Sequence, residues 1–207
     1  MQRRSEYIFT TISKMFPNAC CELEFKNVFQ LAVSVVLSAQ TTDKQVNLVT
    51  PTLFERYPTP EKLKNAEIES IETIIKSIGL YKTKSRNIIN LSKDLVDIHQ
   101  GVVPNDFDLL IKLPGIGRKT ANVILSEGFG IPRIAVDTHV ERVSKRLQFV
   151  ALEADVLDVE RKLMEEFDQH LWHKVHLSIL FFGRYFCFAK NPSCQRCPFY
   201  KKECMKK

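Results

Sequence analysis

The stretch LPGIGRKTA, residues 113–121, decides how this chain is read. It spends two of only seven glycines in 207 residues within three positions, directly behind Pro114, and follows them with Arg118 and Lys119. A Gly-x-Gly pair after proline predicts a tight turn whose backbone must approach something closely. The two cations that follow predict that this something is anionic. Upstream, Asp106 can start a short helix over 107–112 that Pro114 ends, and a second helix begins after Gly117 and runs to about Gly128. The local plan is helix, hairpin, helix. Two physical readings of the hairpin stay open. Its amides and the following helix N-terminus can form an anion site that grips backbone phosphate rather than base sequence. Alternatively, the glycines only let two helices pack closely at a corner.

Working outward, helical spacing with start and stop residues recurs along the chain and period-2 alternation is nearly absent, so the fold class is all-α. At the N-terminus Ile8, Ile12, Met15 and Phe16 fit an amphipathic helix, without the long apolar core of a secretory signal. The most apolar run, VFQLAVSVVLSA at 28–39, is twelve residues, well short of the ~20 that span a membrane, and reads as a buried helix capped by Asn27 with Gln30. Asp43 is the expected cap of the next helix, in which Pro51 predicts a kink, and Thr59-Pro60 supplies a cap followed by proline at the first helical position. Gly79 and Gly101 read as helix stops, and later helices are expected at 138–147, 153–167 and 173–188.

The formal charge is +6 and unevenly spread. Residues 171–207 hold eight Lys or Arg against one acid, Glu203, a local +7 that leaves the rest of the chain at −1. An acidic partner is favoured, and the tail is where the basic character lies.

Two further constellations carry chemistry. The first joins Lys119 to AVDTHVERV, residues 135–143. A lysine in the first turn of a helix is electrostatically misplaced, because the helix dipole there disfavours a cation. An amine so placed can attack a carbon electrophile and form a Schiff base if a nearby acid manages the proton, and Asp137 is the candidate acid. The plainer readings are an N-cap for Asp137 and phosphate contact or solvation for Lys119. Thr138 and Glu141 fit a capping box of their own, which would leave Asp137 spare for chemistry.

The second is the tail Cys187-x6-Cys194-x2-Cys197-x6-Cys204. Four thiols within eighteen residues can hold zinc or an iron-sulfur cluster. A disulfide framework would need an oxidising compartment that nothing in the sequence indicates. Cys20 and Cys21 read as ordinary thiols, and His170, His173 and His176 lack the company a zinc site needs.

Taken together, LPGIGRKTANVIL, AVDTHVERVSKRL, the upstream LSAQTTDKQVN and IGLYKTK, and the cysteine tail resemble the endonuclease III family of helix-hairpin-helix DNA glycosylases, in family order from about residue 23 to 204. The resemblance implies a bilobal α fold with a DNA cleft between the lobes. Residues 22–131 would form a six-helix barrel, and 1–21 with 132–207 a second lobe bearing a [4Fe-4S] cluster on Cys187, Cys194, Cys197 and Cys204. It implies Lys119 as nucleophile and Asp137 as essential carboxylate. Gln40 and Leu80 match residues inserted into the DNA stack, Leu113, Gly115 and Gly117 belong to the phosphate-gripping hairpin, and His139 is a candidate contact beside the pocket. The implied activity is that of a bifunctional glycosylase and apurinic/apyrimidinic lyase acting, as a monomer, on double-stranded DNA with oxidised pyrimidines or abasic sites. The implied location is cytoplasmic and nucleoid-associated, if the source is bacterial. The rivals are a monofunctional mismatch glycosylase, against which Lys119 argues, and a non-catalytic DNA-binding module stapled by zinc. Two departures from the family pattern stand out. Six residues separate Cys197 from Cys204 where the family usually has five, and Ile111 and Lys112 occupy positions where it often carries an acid.

Overall fold

In the computed structural model, residues 2–205 are described. Among them there is no β-strand and no helix long and apolar enough to cross a membrane. The helices are α1 (Gln2–Met15), α2 (Val28–Leu37), α3 (Asp43–Arg56), α4 (Pro60–Lys64), α5 (Ile68–Ile75), α6 (Tyr81–His99), α7 (Phe107–Leu110), α8 (Arg118–Val123), α9 (Thr138–Arg146), α10 (Val156–Glu166) and α11 (Trp172–Tyr185). The chain divides into two compact units, one running to Cys21 and resuming at Pro132, the other Glu22–Ile131.

The continuous unit is organised by α2, in which nine consecutive residues, Phe29 to Leu37, are buried. A helix apolar on every side must be wrapped by others. Asn27 starts it, accepting the Gln30 amide at 2.9 Å, while the Gln30 side chain accepts the Lys26 amide at 2.9 Å. Beyond α2 the start of α3 differs from expectation by one residue. Thr42, not Asp43, is the cap: its backbone is extended and its hydroxyl accepts the Gln45 amide at 3.2 Å, which puts Asp43 inside the first turn. There its charge favours the helix through the dipole instead. The same helix stays continuous through Pro51, whose ring lies on the exposed face. Water can there meet the Asn47 carbonyl that proline leaves without a donor.

Thr59 caps α4 with Pro60 at its first position, as the sequence predicts. Gly101, at φ 79, follows α6 and returns its amide to the Leu95 carbonyl at 2.8 Å. Gly79 does not play the matching part. The left-handed residue before α6 is its neighbour Leu80, at φ 60.

The discontinuous unit is built on α1, α9, α10 and α11. Ile8 and Ile12, one helical turn apart on α1, are fully buried against Val140 and Val143 of α9, Val159 and Leu163 of α10, and Val175 and Phe182 of α11. Each such side chain contributes about 1.5–3 kcal/mol by leaving water. Edge-on ring pairs, Tyr7 with Phe199 at 6.2 Å and Phe9 with Phe167 at 5.6 Å, fasten α1 further. The later helices begin at 138, 156 and 172 and end at 146, 166 and 185, slightly inside their expected limits at most ends.

Candidate active site and cysteine pocket

The hairpin is anchored from within. Asp106 caps α7 by accepting the Leu109 amide at 2.9 Å, and two successive turns follow, Leu113 N–H to the Leu110 carbonyl at 3.0 Å and Ile116 N–H to the Leu113 carbonyl at 3.1 Å. Leu113 and Ile116 are 4% and 5% exposed, so their side chains are core and the hairpin offers only backbone outward at these points. Its glycines are not equivalent. Gly115 sits at φ 80, and a Cβ there would meet Val36 Cγ1 at 3.0 Å and Asn87 Cβ at 3.2 Å, so this glycine is required by the protein itself. Gly117 is extended, and a Cβ there would meet nothing within 4 Å. Internal packing does not explain Gly117, which leaves open space at the start of α8.

Gly117 is the N-cap of α8, with no side chain capping the first turn. Arg118 is exposed, and its guanidinium lies 5.0 Å above the Phe107 ring, a cation–π contact that ties α8 to α7. Lys119, next along, is exposed. The helix then widens into a π-turn at Ile124–Gly128, a form that the sequence did not announce and that is frequent near functional sites.

Gln40 and Leu80, both expected to enter the DNA stack, are both exposed, and both adopt left-handed backbone, φ 55 and φ 60. Non-glycine residues in that region are strained and occur where surrounding structure enforces them. Lys84 belongs to the same neighbourhood and the sequence reading passed it over. It is 3% exposed, its Nζ donates to Thr41 Oγ1 at 2.7 Å, and burial pulls the ammonium down from the ordinary lysine value.

Asp137 follows three buried residues, Ile134, Ala135 and Val136, and is itself half-buried. It is the N-cap of α9. Its Oδ1 accepts the amides of His139 at 2.8 Å and Val140 at 2.9 Å. The Thr138/Glu141 capping box therefore does not form, and Glu141, half-buried, instead pairs with Lys145 at 2.7 Å one turn along the helix. Capping has not consumed the carboxylate, because both amides fall on the same oxygen. His139, half-buried, has its Nδ1 3.2 Å from Arg142 Nη2, and since a guanidinium only donates, Nδ1 accepts.

Arg142 and Arg146, one turn apart on α9, hold the chain that leads into the cysteine tail. Arg142 donates to the Gly183 carbonyl at 2.9 Å and the Cys187 carbonyl at 3.2 Å. Burial, with Arg146 beside it, lowers its affinity for the proton. Arg146 donates to the carbonyls of Phe188 at 2.7 Å and Ala189 at 3.1 Å, and to Cys187 Sγ at 3.2 Å. Cys187, Cys194, Cys197 and Cys204 all line one pocket, walled by Leu147, Phe182 and Phe186. Between Cys197 and Cys204 the chain makes a left-handed turn at Lys201, φ 59, and the Cys204 amide returns to the Phe199 carbonyl at 3.1 Å. Burial, with the three neighbouring thiols adding to it, pushes the Cys197 thiol up. Among the described residues no three His, Cys, Asp or Glu side chains group as ligands of a single metal ion. Four soft donors around one apolar pocket, with a guanidinium on one sulfur, nonetheless suit a thiolate-held cluster.

Residues 33–169 match the model of the HhH-GPD superfamily of base excision DNA repair proteins. Endonuclease III of Bacillus subtilis (strain 168) is 50% identical over 95% of this chain and 90% of its own length. The chain belongs to the endonuclease III family. Endonuclease III of Escherichia coli (strain K12) is 42% identical over 92% of the chain and 90% of that protein. A trapped endonuclease III–DNA covalent intermediate, an estranged-adenine complex, superposes with a TM-score of 0.93 at 50% identity over 96% of this chain and 93% of that one. A thermostable thymine-DNA glycosylase, 19% identical and covered to 93% by 95% of this chain, shares the fold alone, with a TM-score of 0.85. The all-helical fold is thus that of the helix-hairpin-helix glycosylases, and the family activity is base excision repair by a DNA glycosylase with AP lyase activity.

Proposed function

We propose that this family member acts as a monomer on double-stranded DNA, removing oxidised pyrimidines and cutting at abasic sites, with Lys119 as nucleophile and Asp137 as its carboxylate partner. The observation that carries this reading is Lys119 itself, exposed in the first turn behind the open glycine Gly117. The covalently trapped DNA complex of a protein 50% identical to this chain supports it.

A damaged base within a duplex is shielded, so its nucleotide must be turned out of the stack, and damage that weakens stacking lowers the cost of doing so. Gln40 presents a polar amide to the orphaned partner base, and Leu80 an apolar plug to the other strand. The hairpin holds phosphate through its backbone at Gly115 and Gly117, which fixes register without reading sequence. The side chain of Leu113 is buried and serves by holding that hairpin in shape. His139 touches substrate only through the ring edge that Arg142 leaves free.

The Lys119 amine attacks C1′ through its nitrogen lone pair, and the bond from C1′ to the base breaks with its electron pair leaving on the base, which takes up a proton. Asp137, negatively charged, stabilises the positive charge that develops on the sugar and then accepts the proton that the new C–N bond sheds. Opening of the sugar ring at O4′ gives an imine. Loss of a C2′ proton then lets the C3′–O bond break and expel the 3′ phosphate, and water hydrolyses the imine to regenerate Lys119. One amine serves both glycosylase and lyase steps.

Cys187, Cys194, Cys197 and Cys204 would hold a [4Fe-4S] cluster, which when bound pins the basic tail and neutralises thiolate charge. Four thiols on one pocket and the Arg146 contact to sulfur support that assignment over a loop of idle cysteines.

Borohydride reduction on duplex DNA carrying thymine glycol or an abasic site tests the mechanism. Wild-type protein should be trapped as a covalent adduct that Lys119→Ala abolishes. Strand cleavage by the wild type with no trappable adduct would overturn the imine.

A further inference from the structure

We propose that Lys84 is a positioning residue that holds the exposed tips Gln40 and Leu80 in a common register, so that the two enter the DNA stack together. This rests on the insertion roles given to those two residues above.

The geometry is local to the Glu22–Ile131 unit. Neither tip carries a glycine at its left-handed position, so each conformation must be imposed by its surroundings. Lys84 touches both. Its amide donates to the Leu80 carbonyl at 3.0 Å in the first turn of α6, and its ammonium donates to the hydroxyl of Thr41, the residue after Gln40, at 2.7 Å. A second tie runs parallel. Gln45 Nε2 donates to Ser77 Oγ at 2.8 Å, and the Gln45 amide donates to Thr42 Oγ1 at 3.2 Å. The Leu80 loop is thus fastened on both sides of its tip, at Ser77 and Lys84, to the segment that directly follows Gln40.

The chemistry of the Lys84 site argues that geometry, not stability, is what it serves. No carboxylate pairs with the ammonium among the described residues. Burial disfavours its charge, and an apolar side chain of the same length would be the more stable choice at a site 3% exposed. What the charged group adds is a directed hydrogen bond to one loop from the helix that carries the other.

The test compares single-turnover cleavage at a lesion in duplex DNA with cleavage at an abasic site in a single strand, where no stack has to be filled. Lys84→Met should lower the duplex rate about tenfold, the worth of one charge-assisted hydrogen bond, and lower the single-strand rate several-fold less. Thr41→Val should do the same, Thr41→Ser should restore the duplex rate, and the Lys84→Met/Thr41→Val pair should be no worse than either alone. Should Lys84→Met fail to fold by circular dichroism, Thr41→Val and Thr41→Ser decide the matter. Equal losses on both substrates, or an unchanged duplex rate in variants where Gln40→Ala and Leu80→Ala do slow it, would overturn the proposal alone. If Gln40→Ala and Leu80→Ala themselves leave duplex cleavage unchanged, the insertion roles fail and this inference falls with them.

Discussion

Asp137 accepts the His139 amide through Oδ1, and the next amide, that of Val140, falls on the same oxygen. A single oxygen therefore caps α9, which locks the plane of the carboxylate and leaves Oδ2 to be directed elsewhere. Cap and catalyst need not compete for this residue. Positioning of this kind, by main-chain amides at a helix start, is more rigid than a rotamer on an open surface.

Asp137→Asn separates the two duties. Asparagine caps about as well as aspartate, so thermal stability should change by no more than a few tenths of a kcal/mol. The negative charge is lost, and base release should fall by at least about 100-fold, the scale of a displaced acid–base group. Asp137→Ala should lose both, with a further cost of about 0.5–2 kcal/mol in folding. Melting curves beside single-turnover base release check this; full turnover in Asp137→Asn would return the residue to capping alone.

The hairpin glycines predict a split of another sort. Gly115→Ala puts a Cβ on a φ of 80 and within 3.0 Å of Val36, so it should destabilise the protein by roughly 1–2 kcal/mol or more. Gly117→Ala meets nothing of the protein's own, and the gain of about 0.4–1 kcal/mol from a stiffer unfolded chain is offset by alanine's poorer fit at an N-cap, so stability should stay roughly level. Its loss should appear instead in DNA affinity, followed by fluorescence anisotropy across a salt series, because any side chain there stands in the way of the phosphate. Equal affinity for wild type and Gly117→Ala would support the plain helix corner.

How far the sequence could be read depended on whether a glycine, proline or cap announced the structure. Thr59-Pro60, Asp106, Asn27 and the hairpin carried their own chemistry and appear where they were expected. Where neighbours compete for a cap the outcome was less legible: Thr42 caps α3 in place of Asp43, and of the two readings open at α9 the N-cap at Asp137 holds over the one at Thr138, since adjacent polar residues offer an acceptor one position apart. The left-handed turns at Gln40 and Leu80 had no glycine to mark them; the glycine present, Gly79, stood beside the turn and suggested the wrong residue. Lys84 was legible and went unread. It shares a face of α6 with Ile88, Leu91 and Leu95, all fully buried, and that spacing places a lysine on the inner stripe.

Arg146, half-buried beside the cysteine pocket, should matter to the tail. It spans three carbonyls and one sulfur of residues 187–189, so Arg146→Met should cost at least about 2 kcal/mol, the worth of one or more hydrogen bonds from a charged donor. With a cluster in place the same change should speed loss of the visible absorbance on exposure to chelator. A colourless wild-type preparation with stoichiometric zinc would instead select the zinc-stapled alternative.

Acid should loosen α1 from α10 before it unfolds the rest. Glu166 accepts from the Ser5 hydroxyl at 2.5 Å and pairs with Lys162 at 2.9 Å, and the hydroxyl first, then the lysine, hold its carboxyl below the ordinary value of 4.5. A folded-state pKa beneath the unfolded one means the contribution is complete above about pH 4.5 and disappears as pH falls through the depressed value. Lys162 is shifted the opposite way, mainly by Glu166, so its share is complete below the ordinary lysine value of 10.5 and is lost above its raised one. Between these limits the tie should be flat with pH. Glu166→Gln should remove the acid limb, lower stability near neutral pH by roughly 1 kcal/mol and leave the two curves converging in acid. Denaturant midpoints from neutral pH down into the acid range measure this, and a variant that tracks the wild type across that range would show that Ser5 and Glu166 do not fasten α1.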